Sequence, residues 1–407
     1  MKLAIVTAYP PSEADLAFYG LQLVKHFRNH PKVEEILVIT DRSANKKIEL
    51  SPEGSPVTIE KCWSFNGWSN FIKVTQHVLK FKPDAVFFNL GSITFGNKQI
   101  PAALGFMIPL FSRITGVASI SLVHSLPQPF KDYKGYVPSL VRTKNKEYGR
   151  NLTKMILASD IVATNTNKMT KLLIEDLKAK NVTKMPYGSF ETPQEPDYRI
   201  SGNKKQILVF GTFGTQKKLE VFLEAIQRIR SKNNELNLEV VIAGKDSKNV
   251  PGYMRRIEEN HKYMKQLTFM HETDVAQIPK LIEESALVVL PYSQDTEKLK
   301  DIHMTATKGK AVVLPYFDGL NEALEERNYR AEVYTPDSPE SLSEAIENVL
   351  AYNSYRIHLG MANFKAAIAN PIEEVIEQYI EYFEAIKRAK MENTKVLFPI
   401  PEEINDN

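Results

Sequence analysis

A single cysteine, Cys62, among 407 residues rules out a disulfide within the chain and fits a reducing compartment. Histidine is also scarce: the eight present are scattered, with no zinc-ligand spacing, so no metal site is expected. Long apolar runs are missing. The longest, residues 100–110, is broken by Pro101 and Pro109 and stops short of Arg113, too short to cross a bilayer. The opening residues, MKLAIVTAYPP, have too few apolar positions ahead of two prolines for a secretory signal and read as a buried first strand. Neither sign of charge is in excess, with 52 basic and 49 acidic residues, so net charge selects no partner. Nucleic acid is not expected, because neither a recognition motif nor an overall basic excess is present. Together these absences point to a cytoplasmic protein.

What is present is an apolar fraction of 43%, enough for two domains that each bury a core. Short β-branched runs at 3–8, 35–40, 57–62, 84–89, 117–124, 160–165 and 182–186 alternate with helical patterns such as 17–27, 70–81 and 168–177. That alternation predicts a doubly wound parallel sheet. Residues 191–205, ETPQEPDYRISGNKK, break the period and mark a boundary. The alternation then restarts, with strands at 206–210, 238–243, 267–270, 286–290, 311–314 and 332–334 and a helix at 217–231, predicting a second parallel sheet. From 371 to 391, Ile372, Val375, Ile376, Tyr379, Ile380, Phe383 and Ile386 recur at helical spacing, as in a long helix packed on one face. The expected organisation is 1–195 and 205–370 as domains, 371–391 as a helix, and 392–407 as a poorly ordered tail.

The stretch 286–322, ALVVLPYSQDTEKLKDIHMTATKGKAVVLPYFDGLNE, reads as strand, polar loop, short helix and strand. It is a βαβ unit, and in parallel sheets ligands bind outside the carboxyl ends of the strands, which directs attention to the loop 291–300. Lys298 and Lys300 sit in that loop; Lys308 and Lys310 flank Gly309. The pattern of a strand ending in Pro291, a loop, a helix closing on Gly309, a strand, then Gly319 and Glu322 resembles the nucleotide-sugar site of family 4 of the retaining glycosyltransferases. That family carries two glutamates eight positions apart, with a glycine-rich turn after the first. Here Thr296 and Met304 occupy the glutamate positions, and Glu297, Lys298, Leu299 and Lys300 stand where small residues are usual. Asp295, Glu297 and Asp301 are candidates for the missing acidic role, or are solvated loop charges.

A second match is ILVFGTFGTQKKLEVFLEAI, residues 207–226. A strand, Gly211, a turn with Gly214 and then Lys217 at a helix start make a corner suited to an anion. The resemblance implies that Lys217 or Lys218 contacts a donor diphosphate, with Thr212 where the family has a cation; from the residues alone, a solvated lysine pair remains open. The implied donor site comprises Gly211, Thr212, Lys217, Lys218, Gly244, Lys298, Lys300, Gly309 and Glu322. On the first domain, His124 ends an apolar strand where family members place a histidine beside the reacting sugar, as a catalytic group, although a hydrogen-bonded structural histidine is the alternative. Tyr19 and Gly20 are expected on the acceptor side, with helix packing the alternative for Gly20. Tyr187-Gly188 and Gly244-Lys245-Asp246 are turns that fall at strand ends in the same reading.

The resemblance implies a GT-B fold, two facing Rossmann-like domains with a last helix crossing back to the first. It implies transfer of a sugar from a nucleotide-sugar to a hydroxyl of a carbohydrate or lipid-linked acceptor with retention, with cations doing the work of a metal and no cofactor. The basic segment 131–154, with seven Lys and Arg against two acids, is either a solvated face or a peripheral contact with an anionic membrane. Because the glutamates are replaced, a degenerate relative that binds carbohydrate or a partner transferase without turnover is a rival reading, and an epimerase or phosphorylase on the same fold is another.

Overall fold

The computed structural model describes residues 1–10, 12, 16–42, 53–127, 146–190, 193–198, 205–232, 237–296 and 299–394. Lys298, Glu297, most of the basic segment (131–145) and the tail from 395 lie outside them. The chain divides into two units, Met1–Phe190 with Asn370–Asn407, and Glu191–Ala369.

Unit 1 holds β1 (Lys2–Val6), α1 (Ala17–Arg28), β2 (Glu35–Asp41), β3 (Val57–Trp63), α2 (Asn70–Phe81), β4 (Ala85–Leu90), α3 (Gln99–Phe106), α4 (Ile108–Thr115), β5 (Ala118–Val123), α5 (Lys146–Ile156), β6 (Ile161–Thr164), α6 (Asn167–Leu177) and β7 (Val182–Lys184). The strands form one parallel sheet in the order β3-β2-β1-β4-β5-β6-β7. Alternation along β1 decides its faces: Leu3 and Ile5 enter one core layer, and Ala4 and Val6 enter the other. The first layer is covered by α1 and, at the far end of the chain, by α14 (Ile372–Met391). All of the apolar positions that predict this last helix are buried, so its seam is what holds it to unit 1. Helices α2 to α6 cover the second layer. The apolar run 100–110 becomes two short helices, α3 and α4, meeting at Met107, with Pro109 in the first turn of α4 where its missing N–H costs nothing.

Unit 2 holds β8 (Lys205–Phe213), α7 (Glu220–Lys232), β9 (Leu238–Asp246), α8 (Tyr253–His261), β10 (Leu267–His271), α9 (Ile278–Glu284), β11 (Leu287–Val289), α10 (Lys300–Ala306), β12 (Ala311–Pro315), α11 (Asp318–Glu326), β13 (Glu332–Tyr334), α12 (Pro339–Ala351) and α13 (Asn353–Ile368). Its parallel sheet has the order β10-β9-β8-β11-β12-β13. Helices α7, α8 and α12 pack on one face and α9, α10 and α11 on the other. The structure corrects two expectations. Strand β8 does not end at Gly211 but runs to Phe213, paired throughout with β9. The helix expected from Lys217 starts at Glu220, because Lys217 bridges to Tyr292 and the Lys218 N–H donates to the Pro291 carbonyl at 3.2 Å.

Candidate active site

Where the strand order of a doubly wound sheet reverses, the two connections leave toward opposite faces and a crevice opens outside the carboxyl ends. In unit 2 that point lies between β8 and β11. Gly211 and Gly244 are paired across β8 and β9 at this end, at φ values of 129° and 156°. A Cβ on Gly244 would stand 1.9 Å from the Gly211 carbonyl oxygen, and one on Gly211 would stand 2.6 Å from Lys217 Nζ. Only glycine allows this approach.

Lys217 fills the space so created. It is 3% exposed, and its ammonium donates to the Phe210 carbonyl at 2.8 Å and to Asp301 Oδ2 at 2.6 Å. The rings of Phe210 and Tyr292 lie 5.2 and 5.1 Å from Nζ, adding cation–π attraction. Two of its three N–H donors are therefore used, and its charge is met by Asp301, in the first turn of α10. Lys217 is thus not the solvated lysine of the alternative reading but a buried strut between β8 and α10. The start of α7 is not an open anion site either, since the Leu219 N–H donates to Tyr253 Oη, itself hydrogen-bonded to Glu220. Burial and that carboxylate raise the Tyr253 phenol, and burial with Asp301 raises Tyr292 well above the ordinary tyrosine value.

Of the other candidate acids, Asp295 lies among the described residues and is likewise engaged. Asp295 accepts from the Gly319 and Leu320 N–H groups at 3.0 and 2.9 Å, capping α11. Met304 is a half-buried packing residue of α10 and Thr296 is half-buried in the loop before it. His303, facing the other way, bonds Tyr329 Oη at 2.6 Å, and burial pulls its imidazole down to about 4.

At the carboxyl ends of the unit 1 strands, four polar side chains join in a line. Asn165 Nδ2 donates to His124 Nδ1 at 3.2 Å, His124 Nε2 donates to Asn89 Oδ1 at 2.6 Å, and Asn89 Nδ2 donates to Thr7 Oγ1 at 2.9 Å. Thr7 in turn donates to the Ala8 carbonyl at 2.8 Å. This order engages both ring nitrogens of His124. Tyr19 lies edge-on to the His124 ring at 4.8 Å and donates to the Tyr187 carbonyl at 3.0 Å. Gly20 packs tightly beneath them, since a Cβ there would be 2.4 Å from the Ala8 carbonyl oxygen.

Of the predicted donor residues, Gly211, Thr212, Lys217, Lys218 and Gly244 gather at the switch point of unit 2, with Lys300 exposed at the start of α10 and Glu322 exposed on α11. Gly309 stands apart. It lies at the amino end of β12, because the crossover helix α10 returns the chain there, and it makes a left-handed turn packed against Pro196 and Tyr198. Sequence reasoning passed over Tyr292, Thr7, Asn89 and Asn165. The signal for Asn89 was visible as an amide inside the apolar run AVFFNL.

Comparison with family models finds a match in the second unit. Residues 204–352 match the model described as glycosyl transferases group 1. No curated protein matches the sequence. Among solved structures, HepE from Anabaena in complex with UDP aligns at a TM-score of 0.64 with 14% identity, covering 95% of this chain and 100% of that one. Sucrose-phosphate synthase from Thermosynechococcus elongatus aligns at 0.63 with 14% identity over 96% and 100%. An E. coli trehalose-6-phosphate structure bound with UDP-2-fluoro glucose aligns at 0.62 with 14% identity over 94% and 99%. The fold is thus GT-B, and the group 1 match falls on the unit that carries the Gly211, Gly244 and Lys217 constellation.

Proposed function

We propose that the protein is a nucleotide-sugar-dependent glycosyltransferase that moves a sugar to a hydroxyl acceptor with retention at the anomeric carbon. The observation that carries this reading is the group 1 match over 204–352, whose sheet gathers two obligatory glycines and a lysine at its switch point. A departing diphosphate needs positive charge as the glycosidic carbon becomes oxocarbenium-like. The third N–H of Lys217, the exposed Lys218 and Lys300, and the strand-end backbone supply it in place of a metal. Gly309 belongs to the scaffold in this reading. On unit 1, His124 contacts the acceptor or the transferred sugar as a ring positioned by amides at both nitrogens. The setting is cytoplasmic, and among the described residues no helix is long and apolar enough to cross a membrane.

One observation favours a second reading, binding without turnover: Asp301 already neutralises Lys217, and Thr296 and Met304 offer no carboxylate to ribose or sugar. Calorimetric titration with nucleoside diphosphates, UDP first because HepE binds it, followed by a panel of nucleotide-sugars with release of diphosphate as readout, separates the two. Binding with release and an unchanged anomeric configuration in the product supports the transferase. Binding without release on any acceptor, or no binding of any nucleotide, overturns the transferase; the absence of nucleotide binding supports a relative that binds carbohydrate or a partner transferase without turnover.

A further inference from the structure

The outward side of helices α2 to α4 in unit 1 has no covering element among the described residues and is lined by large apolar side chains. Trp68, Ile72 and Leu79 follow one another by four and seven positions, which places them on one exposed stripe along α2 and its leading loop. Trp68 is 66% exposed. The loop is anchored, not loose: the Asn66 N–H donates to the Phe95 carbonyl at 2.9 Å, and its Oδ1 accepts from the Asn97 and Lys98 N–H groups at 2.9 Å. Those bonds hold exposed Phe65 and Trp68 beside the start of α3, where Ile100 is exposed as well. Phe71 and Phe111 pack edge-on at 6.3 Å and tie α2 to α4, whose Ile114 is 75% exposed. Single exposed apolar residues are ordinary, but a contiguous set on one layer of helices marks an interaction surface.

The charge around this set selects the occupant. From residue 61 to 127 the chain has six cations, Lys61, Lys73, Lys80, Lys82, Lys98 and Arg113, and one acid, Asp84. Asp84 is bound to Lys387 at 2.8 Å and to the Lys2 N–H at the amino end of β4, so it does not offset them on the outer face. Helix α5, next in the same layer, adds exposed Arg150 and Lys154, and Glu60 on β3 stands at the far side of α2 by His77. A second copy docked through a twofold axis would set these cations against their own images. An apolar stripe ending in a tryptophan and flanked by lysines matches an anionic bilayer, where rings and aliphatic chains enter the interface and lysines reach lipid phosphates.

We propose that the outer face of α2, α3 and α4 docks this protein on an anionic lipid surface. The inference does not rest on the transferase reading and would hold for a protein that binds without turnover.

Trp63 and Trp68 are the only tryptophans; Trp63 is buried, and its Nε1 has no hydrogen-bond partner among the described residues. Trp63→Phe keeps an aromatic ring against Phe95 and leaves Trp68 as the sole reporter. With vesicles of phosphatidylcholine plus phosphatidylglycerol, its emission should shift to the blue and reverse at high salt, and vesicles of phosphatidylcholine alone should leave it unchanged. Co-sedimentation of the unmodified chain gives a second readout that does not depend on that variant folding. Lys80→Gln and Lys82→Gln should each lower recovery on the anionic vesicles about fivefold. Ile72→Glu should abolish it while thermal unfolding stays in place. Equal recovery on both vesicle types, an unmoved Trp68 emission, or self-association in sedimentation velocity that Ile72→Glu removes would each overturn the proposal.

Discussion

The two units place the same strand reversal, after the first strand of each sheet, under different polar devices. In unit 1, the strand ends are joined by neutral groups: a hydroxyl, two amides and an imidazole whose donors and acceptors alternate from Thr7 to Asn165. In unit 2, the ends are drawn together by a buried charge, Lys217, closed over by Asp301 and two aromatic rings, and by glycines that let backbone meet backbone. Neutral bonds of this kind contribute about 1 kcal/mol each and can be lost singly. A buried ion pair behaves otherwise, because removing one partner strands the other. Unit 2 is therefore the one in which a single substitution at the strand ends should do most damage, and the one in which a bound anion has something to compete with.

The sharpest break in the comparison is Gly244→Ala. The added carbon would overlap the Gly211 carbonyl, a backbone atom that cannot rotate away, at a φ that side chains rarely adopt. We expect a loss of about 4 kcal/mol in urea denaturation followed by far-ultraviolet circular dichroism. Lys217→Ala comes next, at about 3 kcal/mol, at the low end for a broken buried pair because the Asp301 side chain keeps 29% of its exposure. The same variant should lose nucleoside diphosphate affinity, whereas Asp301→Asn, which keeps a hydrogen-bond acceptor but frees the charge of Lys217, should gain it. Weaker binding in Asp301→Asn would show that the carboxylate helps to present the lysine and does not compete with the ligand. Both tryptophans lie in unit 1, so their fluorescence reads that unit while circular dichroism reads both.

Much of this fold was legible because it is written in local patterns. The β-branched runs mark both sheets, and the seam of Ile372, Val375, Ile376, Tyr379, Ile380, Phe383 and Ile386 marks a helix with one buried face. The site was legible only in part. Gly211, Gly244 and Lys217 could be picked out by their place after apolar strands, but the state of Lys217 depends on a carboxylate 84 residues away, which no local pattern reveals. Gly309 looks the same in sequence as Gly211, yet lies at the opposite end of its strand because a crossover helix reverses the chain. The line through His124 draws its members from separate strands, and only the amide of Asn89 within an apolar run hinted at it.

A third test concerns acid. His303 in unit 2 is held at about 4 in the folded state, chiefly by burial, against 6.5 when unfolded. Its folded value is the lower one, so between these values the unfolded chain binds the proton that the folded chain refuses, and stability falls as pH falls from about 6.5 toward 4. By pH 5 this amounts to about 2 kcal/mol. Denaturation by circular dichroism at pH 7 and pH 5 should show that loss, and His303→Gln should reduce it. An unchanged pH dependence in the variant would assign the acid sensitivity to other groups, such as His26 in unit 1, whose imidazole burial also lowers.

The smallest effects should come from unit 1, and they test whether its neutral line behaves as a sum of separable bonds. Asn89 is fully buried and serves two neighbours, accepting from His124 and donating to Thr7. Asn89→Ala removes both its bond to His124 Nε2 and its bond to Thr7 Oγ1 and should cost about 1–2 kcal/mol by tryptophan fluorescence. Asn165 contributes a single 3.2 Å bond to the same ring, and its own Oδ1 is buried with no partner among the described residues. Asn165→Ala removes that unsatisfied oxygen together with the bond, so the two changes offset and the expected loss is under about 1 kcal/mol. A cost for Asn165→Ala equal to that for Asn89→Ala would mean that the line acts cooperatively, as one polarised chain, and that unit 1 is as intolerant of single losses as unit 2.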